Sequence, residues 1–529
     1  MNFKIYIILL VFLATLLTGC GGGSSTSEPV KPEQATGPKV IFDVDEKRSS
    51  ENGSLFIRGT VKYERVVAKH INGSSQLDYD NIIIELAKYV TVKAINANDE
   101  IIAETITDEH GDYRITNLPN DTEIKIRVYA KMFKSDKWDV KVIDNTNGDG
   151  QYVMEGSLIS TGSENTIRDL MAPIDGRTSS SFAILGSAYE AMAKVLSVDS
   201  SVVFPPLKFK WSVDNIETGT YYDGLESIVL LGDANGDSDE FDSHIVIHEW
   251  GHYFENKFSR ADNIGGGHGS NEYLDIRVAF GEGFGNALSA IVTDDPIYSD
   301  TVKNGGWNMN IEEAEHETSG WFSEASVQRI LYDLYDSNDD SNGNDLLSLG
   351  FAPIYDVLVG AQKDTKAFTS IFSFITALKT ENISKVDDID AIVSSENIGQ
   401  IDDIYALNRD NSVVEEHTLP LYHEIDVGNV LSSICTSNNY GYYNKLNNHK
   451  FVRFHINSED SYTIRVEQNN GSDSDPNFKL FKTEPFEMQL DANRLGVENR
   501  TIMLTAGDYL LDISDAQNVS NVCFDLSIN

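Results

Sequence analysis

The sequence predicts a multidomain protein: an N-terminal β-sandwich, a central α+β domain that is mostly helical, and a C-terminal β-sandwich. Its 529 residues are more than one hydrophobic core usually organises. Apolar residues alternate with polar ones near both ends, but recur at three- and four-residue steps in the middle. These patterns predict a signal at 1–20, a flexible linker at 21–50, a β-sandwich with its connector at 51–175, the central domain at 176–430 and the second sandwich at 431–529.

The N-terminus has the features of an export signal. Lys4 precedes an apolar run over residues 5–17, which is short for a membrane-spanning helix. The run ends in Leu17-Thr18-Gly19-Cys20, which resembles a bacterial lipoprotein signal. The resemblance implies cleavage before Cys20, a lipid on its sulfur, and a protein anchored outside the cytoplasm, in the outer membrane or at the cell surface. The alternative is an ordinary secretory signal with an incidental cysteine.

The net charge limits which partners the protein can bind, and the cysteine content bears on whether it contains a disulfide. The chain has 41 basic and 83 acidic residues, a formal net charge of −42, which repels nucleic acid. We therefore expect no nucleic-acid partner, and membrane contact only through the lipid anchor. Once Cys20 is set aside, Cys435 and Cys523 form an even pair. Outside the cytoplasm this pair predicts one disulfide, with two unpaired buried thiols as the alternative.

Short alternating segments at 55–61, 90–94 and 124–128 predict the first β-sandwich. The segment Thr107-Asp108-Glu109-His110-Gly111-Asp112-Tyr113-Arg114-Ile115 resembles carboxypeptidase regulatory-like domains, which implies a transthyretin-like sandwich without catalysis. In the middle of the chain, residues 182–195, 329–335 and 368–378 have helical periodicity, and residues 227–231 read as a strand.

The central region contains the motif His248-Glu249-Trp250-Gly251-His252. On a helix, two histidines four residues apart point the same way, so both imidazoles can reach one zinc ion. Glu249 then lies beside the metal and can move a proton. The metzincin continuation is absent, because positions 255 and 258 hold Glu255 and Phe258 rather than glycine and histidine.

A second motif, Gly281-Glu282-Gly283-Phe284-Gly285-Asn286, begins another helical stretch, and the two glycines that flank Glu282 predict a close approach to the first motif helix. The two motifs together resemble gluzincin metallopeptidases, nearest to the fungalysin/thermolysin-like branch. The resemblance implies a zincin-like domain with Glu282 as the third zinc ligand. That branch usually has an acidic residue at the position of Asn286, where it orients a zinc histidine; an amide oxygen can also accept the imidazole N–H.

Other site residues are less determined by the sequence. The oxyanion-stabilising group remains open among His316, Tyr253 and Tyr332. His268, in a glycine-rich loop, either lines the cleft or is solvated. By the same resemblance, residues 227–231 form the edge strand that binds an extended peptide. Four residues before the first motif predict either a calcium site or a solvated acidic turn: Asp233, Asn235, Asp237 and Asp239.

Alternation returns at 450–456, 462–466 and 509–513 and predicts the second β-sandwich, which resembles the pre-peptidase C-terminal modules of secreted bacterial peptidases. Taken together, the sequence predicts a zinc metalloendopeptidase that cleaves protein or peptide substrates outside the cytoplasm. Two alternatives remain: a non-catalytic surface lipoprotein with a degenerate zinc site, and a zinc amidase acting on cell-wall peptides.

Overall fold

The computed structural model gives the backbone of residues 41–43 and 47–48 and describes most of the chain from residue 55 onward. The predicted signal and Cys20 lie outside the described residues. None of the described helices is both long and apolar enough to cross a membrane. The residues after 55 that are left out are 72, 217–218, 304, 313–317, 338–346, 408, 410–413, 471–473, 494–497 and 519–520.

The first part of the described chain is built of strands, and alternate side chains of the long ones are buried, as the period of two predicts. The strands are β1 Ile41–Asp43, β2 Lys47–Arg48, β3 Leu55–Ile71, β4 Ser74–Leu86, β5 Val90–Asn96, β6 Ile101–Ile106, β7 Asp112–Leu118, β8 Glu123–Lys134, β9 Trp138–Asp144, β10 Gly150–Gln151, β11 Val153–Glu155, β12 Ile159–Ser160, β13 Asn165–Ile167 and β14 Asp169–Ala172. One sheet has the order β1-β14-β3-β13-β2, and β4 and β7 also pair with β3.

Helices dominate the middle of the described chain. The elements are α1 Ser180–Val198, β15 Leu207–Trp211, β16 Tyr221–Tyr222, β17 Ser227–Leu230, α2 Ser243–Phe258, α3 Ile276–Thr293, β18 Ile297–Asp300, β19 Trp307–Asn310, α4 Glu324–Asp333, α5 Phe351–Val359, α6 Ile371–Glu381 and α7 Val386–Ser395, with 3-10 turns at Asp175–Arg177, Asp239–Phe241 and Ile383–Lys385. The predicted helix over 368–378 begins only at Ile371, because Ser370 caps it in a capping box with Ser373.

A second sheet continues from the first sandwich into the central region. Its order is β16-β17-β15-β9-β8-β5-β6, and β15 pairs in parallel with β9, Leu207 opposite Val140. The sheet therefore crosses the boundary that we placed at 175/176, and one hydrophobic core includes residues from both sides of it.

The prediction that residues 227–231 form an edge strand is wrong. All four residues of β17 are buried, and β17 lies between β15 and the two-residue strand β16. Tyr221 pairs with Val229 and Tyr222 with Ile228, so β16 takes the edge position among the described strands of this sheet.

The C-terminal part forms two sheets around one shared core, as predicted for a β-sandwich. The sheets have the orders β20-β22-β27-β24-β25 and β21-β28-β23-β26. Their strands are β20 Tyr422–Glu424, β21 Val430–Thr436, β22 His449–Ile456, β23 Asp460–Asn470, β24 Pro476–Thr483, β25 Phe486–Ala492, β26 Glu498–Leu504, β27 Gly507–Asp515 and β28 Val522–Ile528.

Cys435 on β21 and Cys523 on β28 lie directly opposite one another and form the predicted disulfide. The bond closes a chain segment with a sequence separation of 88. A cross-link of this kind stabilises a fold mainly by reducing the freedom of the unfolded chain.

We expect the double variant Cys435→Ser/Cys523→Ser to lose about 2–4 kcal/mol of unfolding free energy, because its unfolded chain is no longer constrained. Urea unfolding under non-reducing conditions measures this loss. A reductant should destabilise the wild type to the level of the variant and leave the variant unchanged. Equal stability of the oxidised and reduced wild type would contradict the prediction.

Candidate metal centre

Helices α2 and α3 touch at two glycines. A Cβ atom at Gly251 would lie 3.3 Å from the Cα of Gly285, and one at Gly285 would lie 2.8 Å from Nδ1 of His248. A side chain at Gly285 is therefore excluded, and the imidazole of His248 packs directly on the helix backbone. The close approach predicted from the glycines is present. It is made by Gly285 and not by the two glycines that flank Glu282, because Gly281 faces Asn263 and Gly283 faces Val327.

This contact brings His248, His252 and Glu282 together. Their ligand atoms all lie within 4.8 Å of one another. Nε2 of His248 is 3.1 Å from Nε2 of His252, and the two nitrogens lie 3.2 Å and 3.3 Å from Oε2 of Glu282. Two imidazole nitrogens and a carboxylate oxygen are a donor set that zinc accepts, and three protein ligands leave the fourth position open.

Asn286 orients His248 in the way expected of an amide. Nδ1 of His248 is 2.8 Å from Oδ1 of Asn286, and Nδ2 of Asn286 donates to Oε1 of Gln328 at 2.8 Å. With its Nδ2 engaged by Gln328, Asn286 turns its oxygen toward the ring, so Nδ1 carries the proton. The lone pair of Nε2 then points at His252 and Glu282, as a metal ligand requires.

Glu255 is the acidic neighbour of His252 on α2, at an ion-pair distance rather than in a hydrogen bond. Its Oε2 lies 3.6 Å from Nδ1 of His252, and its side chain is buried. The sequence analysis used Glu255 only to exclude metzincins. Its spacing, three residues after His252 on one helix, places the two side chains on the same face and is the signal that identifies it.

The electrostatics of the centre favour a cation. Burial disfavours the charged ring of His252, but the carboxylates of Glu282 and Glu255 together outweigh burial and raise the pKa of His252 to about 10. Burial would raise the pKa of Glu282, yet His268 and His252 beside it hold that pKa well below its usual range.

The structure places His268 beside the candidate metal centre. Its Nε2 lies 3.2 Å from Oε2 of Glu282, and its Nδ1 lies 2.7 Å from Oε2 of Glu324 at the start of α4. The imidazole thus bridges the predicted third ligand and a second buried carboxylate. Of the two alternatives for His268, the structure supports the one in which it lines the site.

Glu249 lies on α2 between the two histidines and is buried. The backbone N–H of Tyr222 on β16 donates to Oε2 of Glu249 at 2.7 Å. This hydrogen bond fixes one carboxylate oxygen and brings the edge strand of the sheet next to the proposed base.

The oxyanion candidates lie in different surroundings. The hydroxyl of Tyr253 donates to the carbonyl of Pro205 at 2.6 Å, so it has a structural partner in this structure. Tyr332 is buried on α4, where its ring packs beside that of Tyr335. His316 lies outside the described residues.

The structure regroups the acidic residues that precede α2. Ligand oxygens of Asp237, Asp239 and Asp300 lie within 4.8 Å of one another. The sequence analysis did not predict Asp300, on β18, because it is far in sequence from Asp237 and Asp239. Asp233 is not one of these three carboxylates, and it accepts the backbone N–H of Asn235 at 2.8 Å within a turn.

The comparisons with known proteins concern the same region. Residues 200–385 match the family model of the mycolysin C-terminal domain. The match covers about a third of the chain and includes both motifs. It supports a metallopeptidase of the fungalysin/mycolysin type. No curated protein matches the chain.

The solved structures that resemble this chain do so with low TM-scores. The pre-peptidase C-terminal domain of a Bacillus anthracis collagenase is 13% identical, with 20% of this chain covering 94% of that one and a TM-score of 0.17. The g-type lysozyme inhibitor PliG of Aeromonas hydrophila is 14% identical. The match covers 20% of this chain and 97% of the inhibitor, with a TM-score of 0.14. A cycloisomaltooligosaccharide glucanotransferase of Paenibacillus sp. is 10% identical. The match covers 89% of this chain and 72% of the glucanotransferase, with a TM-score of 0.14. Scores of this size carry no inference about fold or function.

We expect Asn286→Ala to weaken zinc binding by about 10- to 100-fold, because His248 loses the acceptor that orients it. Asn286→Asp is the matched variant: it keeps an acceptor oxygen and should bind zinc at least as tightly as the wild type. Competition with a chromophoric chelator measures both affinities. An unchanged affinity of Asn286→Ala would show that His248 is held by other contacts.

The stability of the fold should depend on pH through Asp242, which precedes α2 and accepts hydrogen bonds from Thr301. Burial raises the pKa of Asp242 to about 8. The folded state therefore holds this proton between about pH 4 and pH 8 while the unfolded chain releases it, so the free energy of unfolding falls as pH rises through that window.

In Asp242→Asn we expect this fall to be smaller, by up to about 1.4 kcal/mol per pH unit, because one titrating group is removed. The asparagine keeps an oxygen for the Thr301 N–H. Urea unfolding at several pH values, with a chelator present throughout, gives the two slopes. Equal slopes would mean that Asp242 ionises normally in the folded chain.

Proposed function

We propose that this chain is a zinc-dependent metalloendopeptidase that hydrolyses protein or peptide substrates outside the cytoplasm. The observation that carries the proposal is the convergence of His248, His252 and Glu282, with Glu249 on the same helix as the histidines. The match of this region to a mycolysin domain supports peptide-bond hydrolysis as the reaction.

The chain's own residues divide the chemical work. His248, His252 and Glu282 would hold the zinc, which when bound polarises the scissile carbonyl and lowers the pKa of water. Glu249 accepts the proton of the attacking water and returns it to the departing amine. Its Oε2 is held by the Tyr222 N–H, and this leaves Oε1 for the proton transfer.

The edge strand suggests how a peptide is recognised. β16 lies at the edge of the described sheet and contacts Glu249 through Tyr222. An extended peptide that pairs with β16 would pass the proposed base with its main chain aligned to the sheet. Main-chain pairing favours an internal segment of a polypeptide, which supports an endopeptidase.

Two further assignments complete the proposal. We propose a lipid anchor at Cys20, on the sequence pattern alone, which would hold the enzyme in the bacterial cell envelope. We also propose that Asp237 and Asp239 contribute to a calcium site before α2, supported by their proximity to Asp300, since carboxylate oxygens are the ligands that calcium prefers.

The test is Glu249→Gln in the soluble chain that starts at residue 21. We expect the wild type to bind about one zinc ion, as one three-ligand site predicts, and to cleave casein. The variant should keep its zinc and lose activity by about 10²- to 10⁴-fold, because the amide cannot accept the proton. Glu416→Gln, an exposed glutamate with a side chain 88% accessible, is the control and should be fully active.

Each other outcome points to a different function. A wild type that binds zinc but cleaves neither proteins nor peptides would favour a non-catalytic surface protein. Turnover of muropeptides without turnover of proteins would favour a cell-wall amidase. A wild type without zinc would contradict the proposal.

A further inference from the structure

The segment that carries His268 has little conformational preference of its own. Residues 264–269 contain four glycines and no regular secondary structure, and Gly265 and Gly266 adopt φ values of 67° and 98°. Glycine loses more conformational freedom on folding than any other residue. The position of this segment, here called the glycine loop, must therefore come from contacts with the rest of the protein.

Several of those contacts come from the C-terminal sandwich. Nδ2 of Asn444, in the turn between β21 and β22, donates to the carbonyls of Gly265 at 2.8 Å and Gly267 at 3.1 Å. Lys445 also donates to the carbonyl of Gly267, and it binds Glu272 at 3.0 Å. Both side chains are buried. A Cβ atom at Gly266 would lie 2.8 Å from Nδ2 of Asn444, so the glycine loop is in direct contact with this amide.

The glycine loop and the residue before it contact both oxygens of Glu282. Nε2 of His268 is 3.2 Å from Oε2, and Nδ2 of Asn263 donates to Oε1 at 2.9 Å. Oδ1 of Asn263 accepts the backbone N–H of Gly265 at 2.8 Å. A shift of the glycine loop would therefore move the groups that hold the predicted third ligand in place.

The same sandwich also reaches the helix that carries Glu282. Asp275 caps α3 by accepting the N–H of Arg277, and the Asp275 N–H donates to the carbonyl of Asn444 at 2.9 Å. The guanidinium of Arg277 binds Asp512 on β27 at 2.8 Å, and both side chains are 2–3% accessible. Removing one partner of such a buried pair strongly destabilises the folded protein, because the other charge stays buried without a counter-charge.

We infer that the C-terminal β-sandwich is a positioning element of the metal centre: Asn444 holds the glycine loop, and through it His268 and Asn263, against Glu282. The inference rests on the proposed function in so far as Glu282 is a zinc ligand. The described hydrogen bonds of the Asn444 side chain include none to the three predicted zinc ligands, and Asn444 acts through the glycine loop.

The first test measures the glycine loop itself, by hydrogen–deuterium exchange of the soluble full-length chain without added zinc or substrate. Asn444→Ala removes two hydrogen bonds, so residues 264–269 should exchange about 10- to 100-fold faster. The matched control is Asn438→Ala, since Asn438 belongs to the same turn but donates to Asn518 within the sandwich. The control should leave exchange in the glycine loop unchanged.

The second test separates positioning from general destabilisation. Zinc affinity and kcat/KM are measured for Asn444→Ala, His268→Ala and the double variant. If Asn444 acts through the glycine loop, its substitution lowers both quantities in the wild type and has little further effect in His268→Ala. Thermal unfolding midpoints, measured in parallel, show whether a loss reflects unfolding. If Asn444→Ala does not fold, Lys445→Met, which keeps the apolar part of the side chain, replaces it in both tests.

The outcomes distinguish this inference from the proposed function. Unchanged exchange of residues 264–269 in Asn444→Ala, or losses that multiply in the double variant, would overturn the inference. A wild type that hydrolyses no peptide would overturn the proposed function alone, and exchange and zinc affinity would still decide the role of Asn444.

Discussion

The candidate metal centre depends on the contact between α2 and α3 at Gly251 and Gly285. A larger residue at position 285 would collide with the ring of His248 and separate the helices. Everything else at the site is arranged around this contact. α2 presents two histidines one turn apart, α3 presents Glu282 opposite them, and Asn286 on the next turn of α3 orients the nearer ring. His248 and Glu282, which are 34 residues apart in sequence, thus reach one site because the two helix backbones pack closely at these glycines.

The parts of this site that the sequence could predict are those encoded within one helix. The histidine pair follows from a spacing of four residues, and the glycines of the second motif indicated a close approach. Glu282 needed a resemblance to a known family, since nothing local specifies which carboxylate reaches the histidines. Glu255 had a local signal, its spacing from His252. His268 had none, because it contacts Glu324, which is 56 residues away, and its loop contacts residues about 175 positions further along the chain.

The fold was predictable to a similar extent. Alternating segments gave the strands of both sandwiches, because burial on one face leaves a period of two in the sequence. The pairing of β15 with β9, which joins the first sandwich to the central region, left no such trace, since parallel pairing of distant segments is set by tertiary packing. The edge strand was misassigned for a related reason. β16 has two residues, too few for any periodicity, yet it covers β17 and takes the edge position beside Glu249.

The Arg277–Asp512 pair joins residues 235 positions apart in the chain. Domains emerge from the ribosome N-terminus first, and contacts of such long range form late in folding. A chain that has been synthesised through α3 and α4 already contains every predicted zinc ligand, but the start of α3 still lacks its buried partner. The start of α3 therefore gains this partner only after β27 has been synthesised, and a chain cut before β27 would carry the predicted ligands without this buried ion pair.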